Sequence, residues 1–205
     1  SPAKHFADHF IYSKYDNEEN LKKFTSMVDK ITYEFENIPY IVLSKLNKVK
    51  KVDPNPEVNK VVQHRYSEKN FLVKNNIRTT EFEKIINESD IKKNKDLLPG
   101  ILKTSTLGYD GKGQYIISNT KDFENIDFKN EYILEKKINL QKEISVIITR
   151  YQNGNSVAYE PIENIHKNQI LDTSKIPSNI DNKIANQSTK YAIKLANELS
   201  YVGTM

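Results

Sequence analysis

Apolar positions in this chain recur in short runs whose period changes along the sequence. Leu21, Phe24 and Met27 stand three apart, and with Asp16 as N-cap and Glu18 and Glu19 in the first turn they predict a helix over residues 16–29. Ile31-Thr32-Tyr33-Glu34-Phe35 follows as a β-prone run, and a second helix is expected over about 39–49. Helix and strand joined by short connections are the rhythm of a parallel α/β sheet. Pro54 and Pro56 interrupt it, and a helical pair is expected at about 57–65 and 67–75. A domain boundary is placed near residues 77–80.

Beyond the polar, Lys-rich segment 87–96 the pattern turns to strands. Gly100-Ile101-Leu102-Lys103-Thr104 and Gln114-Tyr115-Ile116-Ile117-Ser118 flank a Gly-rich turn. Tyr132-Ile133-Leu134-Glu135 predicts a further strand, and the β-branched run 144–150 another. Asn153-Gly154 makes a turn, after which 156–162 returns as the partner. An irregular stretch ends at Pro177. A long helix over 179–199 then turns Ile184, Ala185, Tyr191, Ala192 and Leu195 toward a core.

Composition narrows the class. A chain of 205 residues is long enough to bury a core. Its 37% hydrophobic content is low, but the recurring apolar clusters argue against disorder. The 31 basic residues are interleaved with 27 acidic ones, for a net charge of +4. A nucleic-acid binder would concentrate its basic residues more, and the densest run, 45–51, reads as a solvated helix end rather than a phosphate-backbone patch. With no cysteine there are neither disulfides nor thiolate metal sites. Nothing approaches the ~20 consecutive apolar residues of a transmembrane span, nor a signal-peptide core, so a cytoplasmic protein is expected. Ser1 opens without Met, and Tyr201-Val202-Gly203-Thr204-Met205 reads like the start of a buried strand; an excerpt of a longer protein is expected.

The segment Gly108-Tyr109-Asp110-Gly111-Lys112-Gly113-Gln114 carries the most chemistry. Its glycines let the backbone approach a bound group, successive N–H donors can cradle phosphate oxygens, and Lys112 adds a positive charge. A P-loop would need Ser or Thr after the lysine and then a helix, and a dinucleotide fingerprint also needs a helix after its glycines. Here a strand follows, so the segment is a hairpin that can fold over a nucleotide; the loop alone leaves an ordinary tight hairpin equally open. Lys103, in an otherwise apolar strand five residues before the loop, shifts the balance. A lysine is costly in a core unless paired, and useful in a cleft that holds phosphates. Glu135 lies at the end of an apolar run, where a strand-to-loop junction can offer backbone groups to an adenine edge. Glu143 can accept from ribose hydroxyls. Taken singly, both are more often surface carboxylates. Glu160, Glu163 and His166 match no tight metal-ligand spacing.

These residues, in this order, resemble the 5-(carboxyamino)imidazole ribonucleotide synthases, a family of ATP-grasp ligases in purine biosynthesis. The resemblance rests on Leu102-Lys103-Thr104, on Gly108 to Gln114, on Glu135-Lys136-Lys137-Ile138, on Glu143-Ile144-Ser145-Val146, on Arg150, and on Pro161-Ile162-Glu163-Asn164-Ile165-His166 with Ile170-Leu171. Upstream, Ala7-Asp8, Tyr15-Asp16, the run 31–38 and Arg65 with Glu68-Lys69 fit the same order, so it covers essentially the whole chain. The family implies an α/β (α+β) fold: a partial N-terminal pre-ATP-grasp α/β domain with connecting helices over 1–78, then a partial ATP-grasp domain over 79–205 with its lid loop at 108–114.

The resemblance also implies a reaction and a site. ATP phosphorylates bicarbonate to carboxyphosphate, and the amine of 5-aminoimidazole ribonucleotide captures the carboxyl group, with magnesium offsetting phosphate charge. Carried over by motif, Arg65 and Lys103 contact ATP phosphates, and Gly108, Tyr109, Asp110, Gly111, Lys112, Gly113 and Gln114 close over them. Glu135, Lys136, Lys137 and Ile138 line the adenine site, Glu143 binds ribose, and His166 joins the nucleotide contacts. The ribonucleotide is expected near Glu34, Tyr109 and Lys112. Leu107 stands where many relatives have another glycine. The magnesium ligands are expected beyond Met205, so these 205 residues alone are expected to be inactive, and the full-length protein is expected to be a homodimer that binds no nucleic acid or membrane. Two other readings remain: another ATP-grasp ligase such as a biotin carboxylase relative, and a non-catalytic basic nucleic-acid-binding module.

Overall fold

The computed structural model describes residues 2–108, 113–119, 121–123, 126–167 and 170–205. They fall into two compact units, 1–60 and 61–205.

In the first unit, helix α1 (Glu18–Met27) begins one residue later than expected. Asn17, not Asp16, is its N-cap, its side chain accepting from the Asn20 amide at 2.9 Å. Helix α2 (Tyr40–Asn47) turns Val42, Leu43 and Leu46 inward against Ile31 and Val52. The β-prone run 31–35 is not a full strand. Only Ile31 pairs, in a parallel bridge to Val52, with Ile31 N–H donating to Lys51 O and Asp53 N–H to Ile31 O. That bridge is the one parallel pairing among the described residues, so the alternation of helix and β-prone run overstates the sheet. Two members of the lysine run are ion-paired, Lys45 with Glu18 and Lys51 with Asp53. Helix α3 (Pro56–Val62) carries a fully buried Asn59, whose amide donates to Glu36 O at 2.9 Å.

Helix α4 (Arg65–Lys74) opens the second unit proper, ahead of strand β1 (Phe82–Ile85) and helix α5 (Glu88–Lys93). Neither β1 nor α5 stands out in the Lys-rich hydropathy pattern. A capping box marks α5 all the same: Asn87 accepts from the Ser89 and Asp90 amides while Asp90 accepts from the Asn87 amide. Strands β2 (Gly100–Thr104), β3 (Gln114–Ile117) and β4 (Tyr132–Lys136) complete an antiparallel sheet of order β1-β4-β2-β3.

Strand alternation gives this sheet two unlike faces. Ile85, Leu102, Ile117, Tyr132 and Leu134 point to one side and bury with Ile91, Leu97 and Phe123, each large aliphatic contributing about 1.5–3 kcal/mol of transfer free energy. Ile101, Lys103, Ile133 and Glu135 are neighbours on the other side, since Ile101 is opposite Glu135 and Lys103 opposite Ile133. Helix α4 lies over part of that second face, with Tyr66 edge-on to Phe82 at 5.8 Å. At the β3 edge the same face is open, Ile116 being 61% exposed.

The β-branched run 144–150 is not one strand but two in different sheets. Strand β5 (Glu143–Ser145) joins β8 (Ile162–Lys167) and β9 (Ile170–Lys175). Strand β6 (Ile148–Arg150) lies between β7 (Ser156–Ala158) and β10 (Gly203–Thr204). The expected partner 156–162 is divided in the same way, and β8 and β9 occupy much of the stretch read as irregular. Helix α6 (Asn182–Glu198) is capped by Asp181 and packs on β6 and β7 with Ala196 fully buried. Ile184, in the first turn of the helix, is exposed rather than turned to a core.

Candidate nucleotide site

The root of the Gly-rich segment is held from three directions. Thr104 N–H donates to Gly113 O at 2.9 Å, which closes the stem where β2 leaves and β3 returns. Gly113 has φ +72°, and a Cβ there would come within 2.7 Å of Thr104 Oγ1, so both conformation and space require glycine. Arg65, at the start of α4, donates from Nε to Thr104 O and from an Nη2 hydrogen to Gly108 O, each at 3.1 Å, and its amide donates to Ser105 O at 2.9 Å. The two side-chain bonds use two of five guanidinium donors, so Arg65 grips the loop stem whatever else it contacts. Leu107 has φ +60° and is 73% exposed, so it holds a left-handed backbone of the kind glycine adopts without strain.

Lys103 and Glu135 meet on the second face, beside α4. Glu135 is buried, 8% exposed, and its Oε2 accepts from Lys103 Nζ at 2.9 Å; Lys69 Nζ of α4 lies 3.6 Å from the same oxygen and donates to Thr79 Oγ1 at 2.7 Å. Glu135 is therefore not a surface carboxylate at a strand end. The strand runs on through Lys136, and Glu135 pairs with Phe82 on one side and Ile101 on the other. A carboxylate so buried needs a counter-ion, and Lys103 and Lys69 both supply one.

A second polar cluster lies behind the stem. His64 Nε2 is 2.8 Å from Glu131 Oε1, Lys84 pairs with Glu131 Oε2, and Ser105 N–H donates to Glu131 O. Burial raises the Glu131 carboxyl, but the Lys84 hydrogen bond and the charges of His64 and Lys84 outweigh it, holding Glu131 below the ordinary carboxylate range. Glu131 also lines a cavity of about 220 Å³ with Thr104, Thr106, Leu107, Gly113 and Asn130.

The remaining candidates are spread more widely. Lys136 pairs with exposed Glu81, and the amides of Lys136 and Lys137 donate to Glu81 O and Pro99 O, so those two N–H groups are already committed; Ile138 is exposed. Glu143 and His166 face each other across β5 and β8, with Nδ1 3.0 Å from Oε2. Gln114 sits opposite Lys103. Glu34 is exposed in the first unit. Tyr109, Asp110, Gly111 and Lys112 lie outside the described residues. Glu163 accepts from Lys142 Nζ at 3.0 Å and from the Asn179 amide, which hold its carboxyl below the usual range. Among the described residues, no three His, Cys, Asp or Glu form a group that could hold a metal ion.

His64 and Glu131 escape a reading by motif, and Lys69 enters it through the Glu68-Lys69 match with no role attached, because each acts across elements far apart in sequence. A lysine three residues after Tyr66, the residue that packs on the sheet, was the available signal for Lys69.

Residues 70–205 match the ATP-grasp domain, and residues 1–63 the ribonucleotide synthetase preATP-grasp domain. The chain belongs to the ATP-grasp family. An N5-carboxyaminoimidazole ribonucleotide synthase from Brucella melitensis is 34% identical over 211 residues, covering 100% of this chain and 58% of its own length. The crystal structure of the ADP complex of an N5-carboxyaminoimidazole ribonucleotide synthetase superposes with TM-score 0.94 at 34% identity, over 100% of this chain and 55% of that one. The enzyme from Staphylococcus aureus complexed with ADP gives TM-score 0.92 at 33% identity, over 99% and 55%. The ATP-grasp chain thus spans about half the length of the curated relatives it matches. Its architecture is the α+β ATP-grasp fold with a preATP-grasp domain.

Proposed function

We propose that the chain supplies the nucleotide-binding part of an ATP-dependent ligase that makes 5-(carboxyamino)imidazole ribonucleotide. A bicarbonate oxygen attacks the γ-phosphorus of ATP and displaces ADP, giving carboxyphosphate. The exocyclic amine of 5-aminoimidazole ribonucleotide then takes the carboxyl group, and phosphate leaves. The observation that carries this reading is the match, along the whole chain, to synthases of that name at 33–35% identity, two of them solved with ADP.

Phosphoryl transfer asks the protein for position and charge neutralisation more than covalent help. Lys103 and Arg65 supply cationic groups beside the stem of the Gly-rich segment, and Gly108 to Gln114 would cover the phosphates and keep water from carboxyphosphate. Glu135 to Ile138 would border adenine, Glu143 the ribose, and His166 would orient Glu143. Glu34, Tyr109 and Lys112 would serve the ribonucleotide, and residues 1–78 and 79–205 would be the working domains. Magnesium would neutralise phosphate charge in the whole reaction, and the roles given to the described residues do not involve it. A cytoplasmic homodimer acting on small molecules completes the reading. Among the described residues, no helix is long and apolar enough to cross a membrane.

The test is substrate dependence. The full-length protein should hydrolyse ATP only when aminoimidazole ribonucleotide and bicarbonate are both present. Robust turnover without the ribonucleotide, or activity with biotin instead, would move it to another ATP-grasp ligase.

A further inference from the structure

Three charged side chains from three elements share one buried spot: Lys69 from α4, Lys103 from β2 and Glu135 from β4. Their exposures rank in a telling order. The Glu135 side chain is 10% exposed, Lys69 18% and Lys103 21%. The carboxylate lies deepest, and its two lysines sit at the margin of the open face. They are not equivalent. Lys69 is fixed twice, by the Glu135 carboxylate and by Thr79 Oγ1 at 2.7 Å. Lys103 has Glu135 as its side-chain acceptor among the described residues, at 2.9 Å.

We propose that Lys69 is a positioning residue that holds Glu135 so that Lys103 can leave it for an anionic ligand. This rests on the reading of the open face as a nucleotide site and adds a residue to it. A lysine whose sole partner is a buried carboxylate is poorly placed to serve a phosphate, because departing would strand a buried negative charge. With Lys69 already beside Oε2, Glu135 keeps a counter-ion when Lys103 swings away on its flexible stem. Two cations around one carboxylate leave a net charge of one positive unit, the surplus that a phosphate would meet. Thr79 explains which lysine moves: the one tied to a second acceptor stays.

The probes are ADP and adenosine, titrated against the full-length protein, with adenosine read as a competitor of ADP. In Lys69→Met, ADP affinity should fall about ten- to a hundredfold while adenosine affinity stays within about twofold, because Lys69 acts through the Glu135 carboxylate and Lys103 on phosphate, whereas the groups that segment 135–138 offers to adenine are backbone ones. Lys69→Arg should restore most of the loss. In a Lys103→Met background, Lys69→Met should change ADP binding little. Because Lys69→Met strips a counter-ion from a buried carboxylate, the same substitution is also made with Glu135→Gln, which removes the buried charge without changing its shape. There ADP affinity should no longer depend on Lys69. An equal loss for adenosine and ADP would mean a purely structural role, and an undiminished loss in the Glu135→Gln background would make Lys69 a direct phosphate ligand; either overturns the proposal. Failure of the unsubstituted protein to bind ADP at all would instead overturn the nucleotide-site reading beneath it.

Discussion

Replacing Arg65 separates two roles that a single contact list would merge. Its guanidinium holds the Thr104 and Gly108 carbonyls, both at 3.1 Å, and its backbone amide holds Ser105 O independently of the side chain. Arg65→Ala should therefore release two charge-assisted hydrogen bonds and keep the third. Bonds from a charged donor contribute about 1.5–3 kcal/mol each when buried; half-buried as Arg65 is, about 2–4 kcal/mol for the pair is the working figure. For a chain of this size each kcal/mol moves the melting temperature by about 2–4 °C, so a fall of about 5–15 °C is expected by calorimetry. Arg65→Lys offers a point charge that can reach one carbonyl but not both, and should recover about half. ADP affinity, titrated in parallel, should fall in both variants as the stem loosens. If Arg65→Ala melts within 1 °C of the parent and loses only ADP binding, the side chain is a phosphate ligand and nothing more, and the account of the stem is wrong.

Leu107→Gly should stabilise slightly: relief of left-handed strain, about 1–2 kcal/mol, exceeds the roughly 1 kcal/mol entropic penalty of glycine, so a melting point raised by about 1–3 °C is expected and a lowered one refutes the strain. Glu143→Gln removes a pair whose members are largely solvated, worth about 0–1 kcal/mol; thermal stability should barely move while ADP affinity drops, and unchanged ADP binding would remove Glu143 from the site. Acid should unfold the protein through identifiable carboxylates. Burial raises Asp53, but bonds and charges from Lys30 and Lys51 hold it below its ordinary value, as Glu131 is held below its own. Depressed folded-state values mean that their contribution is complete above the unfolded-state range of about 4 and is lost as pH falls through the folded-state values. Urea midpoints should stay level from neutral pH to about 5 and decline below 4, and Glu131→Gln should flatten that decline.

Much of this was legible because local chemistry and tertiary context agree. The strands beside the Gly-rich segment, 100–104 and 114–117, were marked by alternation and by the glycines between them. Helix α6 is marked by its period, though its inward face begins after Ile184. What misled was continuity. Glu143 to Arg150 is a single β-branched run in sequence, yet Val146 and Ile147 carry the chain from one sheet to another, and no hydropathy pattern distinguishes one long strand from two short ones. Strand β1 was hidden by the lysines and glutamates around it, although its alternation, Phe82 and Lys84 on one side and Ile85 buried on the other, matches a sheet with one polar face. The site was legible in its parts and not in its couplings. A lysine at 103 is costly unless paired, but its partner lies 32 residues away and its competitor Lys69 on a helix.

The two-faced sheet also sets what kinds of genetic change this part of the fold can absorb. In β2, Leu102 goes to the apolar side and Lys103, the next residue, to the polar side. Loss of a single codon from the strand would exchange those destinations, driving an ammonium among Ile85, Leu134 and Phe123 and turning a leucine toward the polar face. Substitutions can be tolerated position by position here, but length cannot. Insertions and deletions should accumulate in the connections between strands, while the five residues of β2 keep a fixed count among relatives whose identity has fallen to about a third.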